Sequence, residues 1–182
     1  MPISYSIIRS SRKTVSLEIR SDGTVLVRAP RRLSEKTIRE FVQSKEGWLR
    51  EKLKKYENRP ALPAFTESQI ETLKKQAKAD ITARVRRFAP LVGVSYGRIT
   101  IRAQKTRWGS CSGEGNLNFN CLLVLTPPEI RDYVVIHELC HRKEMNHSAR
   151  FWAEVAKICP DHRKRRQWLK DNGSALIARL PE

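Results

Sequence analysis

The sequence predicts an α+β protein built in two parts. Three observations carry that expectation. The first thirty residues alternate apolar and polar like strands, while residues 34–56 and 66–88 repeat their apolar positions at helical spacing. Two more strand patterns, around residues 99 and 117, lead into a helix marked at its start by proline and at its end by histidine. A proline-bearing stretch, Glu57 to Phe65, breaks any helix between the parts, so the expected units are residues 1–58 and 65–182.

Each element has a local reason. Val15, Leu17 and Ile19 share one strand face, Ser21-Asp22-Gly23 is a turn, and Val25, Val27 and Ala29 resume the alternation, which makes a hairpin closed by Pro30. Ser34 can cap a helix running to about Tyr56, with Ile38, Phe41, Val42, Lys45, Trp48, Leu49 and Leu53 as its stripe. Thr66 and Gln69 form a capping box for a second helix, whose buried stripe is Ile70, Leu73, Ala77, Ile81, Val85 and Phe88. Ile99, Ile101 and Ala103 mark a strand, and Leu117, Phe119 and Cys121 alternate with asparagines in another. The stretch between them, "QKTRWGSCSGEG", reads as a loop or irregular hairpin connection. Thr126 is the expected cap of the next helix, with Pro127 at its first position and Glu129 closing a second capping box. A helix from about Ser148 to Cys159 carries Phe151, Trp152, Val155 and Ile158 at core spacing, and Pro160 stops it. Asp161 can cap a last, basic helix ended by Gly173, in which His162 reads as a surface residue.

Composition narrows the class. The 182 residues hold 36 lysines and arginines against 19 acids, a net charge of +17, which attracts polyanions without naming one. No run of eighteen apolar residues exists, so no membrane span is expected. The first residues lack the basic-then-apolar order of a signal peptide. The four cysteines form no C-x-x-C pair and read as reduced thiols of a cytoplasmic protein.

Three of the four histidines fall within "IHELCHRKEMNH", residues 136–147. His137 and His141 are four apart, so on a helix they share one face and can meet one ion. Ile130, Tyr133 and Val134 continue that stripe, which puts both imidazoles on the buried side. Glu138 sits about 100° round the axis, near a metal without pointing at it, where a general base for water belongs. Catalytic zinc takes three protein ligands and leaves one position open. His147 is the natural third, provided the helix ends before it, and Asn146 can adopt the left-handed conformation of such an ending. The spacing is H-E-x-x-H-x-x-G-x-x-H with Glu144 in place of the glycine.

"RWGSCS", "NLNFN", "YVVIHELCH" and "NHSARFW" together resemble the YgjP-like family of zinc metallopeptidases, itself similar to the SprT and WLM metalloprotease domains. The resemblance implies a zincin-like fold, with a small antiparallel sheet packed on the H-E-x-x-H helix. It implies one zinc ion on His137, His141 and His147, and Glu138 as the catalytic residue. It also implies a peptide or protein substrate, although some members with this pattern are named nucleoside triphosphate (UTP) pyrophosphatases.

The leading expectation is therefore a zinc-dependent hydrolase, a metallopeptidase in which Glu138 activates a water at zinc for attack on a peptide carbonyl. The nucleotide pyrophosphatase is the alternative, although three imidazoles suit zinc better than the oxygen-seeking ions of phosphoryl chemistry. A third possibility is a basic nucleic-acid-binding module with a structural metal site, in which Trp168 among basic residues would contact the strand. Asn118 and Asn120 are candidate substrate contacts on a strand that could pair with an extended peptide, or simply residues of a half-exposed strand. Arg107 suits a carboxylate or phosphate, and Trp108 is either a substrate wall or a core plug.

Overall fold

The computed structural model describes residues 3–20, 23–57 and 63–181, and the chain divides into two units, residues 1–62 and 63–182. In the first unit, the alternation of Val25, Val27 and Ala29 does what it predicts: all three are buried on one face of a strand. That strand, β3 (Val25–Pro30), is central, with β2 (Ser16–Ile19) antiparallel to it as the expected hairpin and β1 (Tyr5–Ser10) parallel on its other side. Ser21 and Asp22 of the expected turn lie outside the described residues, as do residues 58–62 of the expected linker.

The expected single helix after Ser34 is two helices, α1 (Glu35–Ser44) and α2 (Glu46–Glu57). The Ser34 hydroxyl accepts from the Thr37 amide, as a cap should. At the other end Ser44 turns its hydroxyl onto the Phe41 carbonyl and Lys45 closes α1, so the apolar stripe is interrupted. Ile38, Val42 and Leu49 are buried against the sheet, whereas Trp48, expected in the stripe, is exposed.

The second unit is organised by α3 (Glu67–Val92). Its capping box is complete in both directions: the Gln69 amide donates to the Thr66 hydroxyl, and the Thr66 amide donates to the Gln69 side chain. Ile70, Leu73, Ala77, Ile81, Val85 and Phe88 are all buried, and Gly93, at φ 76°, supplies the left-handed residue that ends the helix. A three-stranded sheet follows in the order β4-β6-β5, made of β4 (Ile99–Arg102), β5 (Gly109–Cys111) and β6 (Leu117–Asn120). The α+β class is as expected, with one refinement: β5 is antiparallel to β6, but β4 is parallel to it, because the chain returns through β5 before β6 is laid down. The connection read as a loop thus contributes a strand.

The strand pattern at "NLNFNCLL" stops at Asn120, whose side chain accepts from the Leu122 amide and starts a 3-10 turn, Cys121–Leu125. That turn buries Cys121, Leu122 and Leu123. Helix α4 (Pro128–Cys140) begins one residue later than expected, and no side chain caps it. Thr126 instead donates its hydroxyl to the Leu123 carbonyl and finishes the preceding turn, so the expected box with Glu129 does not form. Helix α5 (Ala149–Ile158) is capped by Ser148, and α6 (His162–Ile177) runs through Gly173 rather than ending there. At Gly173 an added Cβ would lie 2.9 Å from the Trp108 ring, so the glycine is a packing notch.

Helix α4 lies against α3, α5, α6 and β5. Leu117 and Phe119 of the sheet, Ile81 and Val85 of α3, and Val134, Val135 and Leu139 of α4 share one core. Arg84 of α3 ties the first turns of α4 down by reaching Asp132 and the Pro128 carbonyl while also holding Asp80. All four cysteines are free thiols, and no described helix is long and apolar enough to cross a membrane.

Candidate metal centre

The last turn of α4 and the chain just beyond it bring three imidazoles together. The rings of His137, His141 and His147 form a near-equilateral triangle with centroids 4.9, 4.9 and 4.8 Å apart. Their ligand nitrogens lie within 4.8 Å of one another, and the Nε2 atoms of His137 and His147 are 3.0 Å apart. Phe151 of α5, fully buried, touches all three rings at 4.5 to 4.9 Å and forms the floor that sets their orientation. Trp152 stacks on His147 at 5.8 Å and stands beside His137.

The turn that delivers His147 differs from the expectation. No described residue other than glycine has positive φ, so Asn146 is not left-handed. The chain leaves the helix through a tight series of turns, with the amides of Arg142, Lys143 and Glu144 donating back to Leu139 and Cys140. A glycine is therefore not needed where Glu144 stands. Its carbonyl lies 3.1 Å from His141 Nδ1, which makes that nitrogen the donor and leaves Nε2 with its lone pair towards the cluster. Arg142 fastens the same turn by donating to the carbonyls of Ser95 and Gly113.

Burial sets the electrostatics. It pushes the His137 pKa down to about 3, helped by the neighbouring imidazoles and Arg166, and it lowers that of His141 as well. Both rings are therefore neutral donors at ordinary pH. His137 Nδ1 is buried without a hydrogen-bond partner among the described residues. Glu138, 5% exposed, is pushed up to about 8 by burial, against the opposing pull of Arg107. Gly109 of β5 faces this carboxylate so closely that a Cβ there would lie 2.6 Å from Glu138 Oε1.

The candidate substrate residues separate. Arg107 is exposed and its charge reaches Glu138. Trp108 is wedged between the two cores of this unit, with Gly173 on its face, as a plug. Asn120 is fully buried: its amide donates to the carbonyls of Gln104 and Arg107 and accepts from Leu122, so it clamps the approach to β5. Asn118 alternates with Leu117 and Phe119, which face α4, and so lies on the sheet face away from the histidines. β6 is paired on both sides and has no edge to offer a peptide; β5 has a free edge among the described residues. His162, expected at the surface, is buried and stacks on Trp152 at 5.4 Å.

Several residues of the site gave no signal of their role. Gly109 could have been suspected, since glycine in a strand often marks a close approach. The floor role of Phe151 and the carbonyl role of Glu144 depend on tertiary contacts alone.

The family model for the YgjP-like metallopeptidase domain matches residues 13–71 and 63–172. Among solved structures, the crystal structure of the metallopeptidase zymogen of Pyrococcus abyssi abylysin superposes with a TM-score of 0.47 at 22% identity, covering 51% of this chain and 95% of that one. That of Methanocaldococcus jannaschii jannalysin gives 0.42 at 24%, covering 49% and 96%. No curated protein sequence matches.

Proposed function

Since the chain belongs to the YgjP-like metallopeptidase domain family, we propose that it is a zinc-dependent peptidase with His137, His141 and His147 as ligands and Glu138 as proton carrier. The carrying observation is the convergence of three imidazoles beside a buried carboxyl group from the same helical turn. The donor set fits the ion. Zinc–nitrogen bonds of about 2.0–2.1 Å in a tetrahedron place ligand atoms roughly 3.3 Å apart, close to the 3.0 Å between His137 and His147. Three nitrogens suit zinc and not the oxygen-seeking magnesium or calcium.

When bound, zinc supplies a Lewis acid that polarises a carbonyl, lowers the pKa of water and draws down that of the nearby carboxylate. The chain does the rest. The carbonyl of Glu144 holds His141 in one tautomer, and Phe151 stops the rings from turning. Glu138 takes a proton from the attacking water and hands it to the leaving amine. Enclosure by Gly109 keeps that carboxylate in place and away from solvent. The free edge of β5, running past Glu138, can hydrogen-bond an extended peptide, and Arg107 lies beside it.

The test is metal analysis and hydrolysis on one preparation. The wild type should carry one zinc that His147→Ala loses, and should cleave casein, an activity that Glu138→Gln loses while keeping its metal. Pyrophosphate release from UTP, lost in Glu138→Gln with casein untouched, would overturn the peptidase reading in favour of nucleotide hydrolysis.

A further inference from the structure

Helices α5 and α6 leave between them a cavity of about 580 Å³ that the chemistry above does not use. Ala149, Ala153 and Ala156 form one small-residue face of α5, which is why the helices do not fill the space. The remaining walls are Trp152, His162, Arg163 and Arg166. No acid lines it. Nearby acids are engaged elsewhere: Glu154 pairs with Lys143 and Lys157, and Asp161 with Arg165. Neither Arg163 nor Arg166 makes an ion pair or a side-chain hydrogen bond among the described residues.

This basic cavity is joined to the histidines by a shared wall. Trp152 stacks on His147 at 5.8 Å and on His162 at 5.4 Å, and the Arg166 guanidinium sits over the same indole at 5.0 Å. Stacking of this kind restrains the guanidinium while its N–H edge remains free for a planar anion. His162 is fixed in turn by a hydrogen bond between Nδ1 and the Cys159 carbonyl at 3.2 Å. The site is therefore two unpaired guanidiniums, three apart on one helix, over a rigid aromatic wall. From the Arg166 guanidinium to the His147 ring takes two steps, of 5.0 and 5.8 Å. An extended peptide advances about 3.3 Å per residue.

Building on the peptidase reading, we propose that this cavity is a specificity subsite in which Arg163 and Arg166 bind a carboxylate of the peptide substrate, within about three residues of the attacked bond. An acidic side chain and a free C-terminus present the same group. Bidentate guanidinium–carboxylate pairing is stronger and more directional than the general attraction of a +17 chain for anions.

The experiment uses the zinc-loaded full chain and quenched-fluorescence peptides alike except for one Glu or Gln, moved through each position around the cleavage site, with free or amidated C-termini. Wild type should favour Glu over Gln at one position, or the free over the amidated end, by roughly tenfold or more in kcat/KM. That ratio should fall towards one in Arg163→Gln/Arg166→Gln. It should persist in Lys75→Gln, which removes a charge from a separate groove on α3. Arg166→Glu should transfer the preference to Lys at that position. Each ratio is taken within one protein, so loss of overall activity cancels. Equal rates for every pair in the wild type, or a preference that survives the double substitution, would overturn the proposal. Anisotropy of the same labelled peptides on zinc-loaded Glu138→Gln reads the subsite without turnover. If wild type cleaves no peptide, the peptidase reading fails, and the binding ratio still decides the subsite: selectivity lost in the double variant supports it, and absence of selectivity sinks it.

Discussion

Gly109→Ala separates the position of the Glu138 carboxyl group from the proposed metal binding. Gly109 lies in β5 opposite Phe119, and its φ is not positive, so alanine suits the backbone there. The added methyl carbon meets Glu138 Oε1 at 2.6 Å, Cγ at 2.7 Å and Cδ at 2.9 Å. Carbon–carbon contact becomes comfortable only near 3.5–4.0 Å, so something must move by roughly 1 Å. β5 is held by its ladder to β6, and Asn120 clamps the segment before it. Glu138 therefore moves, in an enclosure that leaves it 5% exposed. Displacing a catalytic group by about 1 Å costs on the order of a hundredfold in rate, while overpacking costs about 1–3 kcal/mol of stability. The expected result is kcat/KM down about a hundredfold with zinc content unchanged, measured by peptide cleavage and metal analysis on the same sample. Full activity in Gly109→Ala would refute the argument that Glu138 needs this fixed position.

The other predictions use different observables. In chelator-treated protein, Glu138 holds a proton up to about pH 8 in the folded state but only to about 4.5 when unfolded. Its contribution is thus present below pH 4.5 and lost as pH rises through 8; at about 1.4 kcal/mol per pKa unit the loss is a few kcal/mol. His137 runs the opposite way, neutral in the fold down to about pH 3 against 6.5 unfolded, so its contribution is lost as pH falls below 6.5. Urea midpoints of the metal-free wild type should therefore decline from pH 6.5 to 8.5, and those of Glu138→Gln should stay flat; matching slopes would refute this. Asn120→Ala removes three hydrogen bonds of a buried side chain and should lower stability by about 2–3 kcal/mol in thermal unfolding. Gly173→Ala would gain about 1 kcal/mol on an exposed helix, but the 2.9 Å approach to Trp108 should reverse the sign, and a raised Tm would contradict the packing described.

Helix α4 was legible because its signals are local. His137 and His141 fall four apart on an apolar stripe, and that periodicity survives any tertiary context. His147 was legible as a residue type but not as a geometry. Successive turns onto Leu139 and Cys140 reverse the chain without the left-handed residue that the usual helix ending suggests. Caps were less secure than stripes, since Thr126 has two turns within reach and serves the earlier one. Asn120 shows the limit of alternation, which gives a side chain's face but not its hydrogen bonds. Gly173 and His162 misled for a shared reason: a glycine near a helix end and a histidine among arginines have common meanings, which the contacts with Trp108 and Trp152 override.

The conflict at residue 138 is the firmest physical argument for chemistry at this site. α4 would form without an acid there, because Ile130, Tyr133, Val134 and Leu139 bury its face. A carboxylate in that environment costs stability whenever it ionises, and no hydrogen bond or ion pair among the described residues relieves it. The adjacent His137 leaves Nδ1 buried and unbonded among the described residues, a second departure within the same turn. Elsewhere α3 is fully boxed and Arg84 is satisfied by Asp80, Asp132 and a carbonyl, although single buried atoms of Arg12, Thr82, Arg131 and Ser174 also lack a partner among the described residues. A buried acid and an unpartnered buried imidazole nitrogen in one turn, where three ring nitrogens also meet, are what the proposed proton transfer at a cation would account for and fold stability would not.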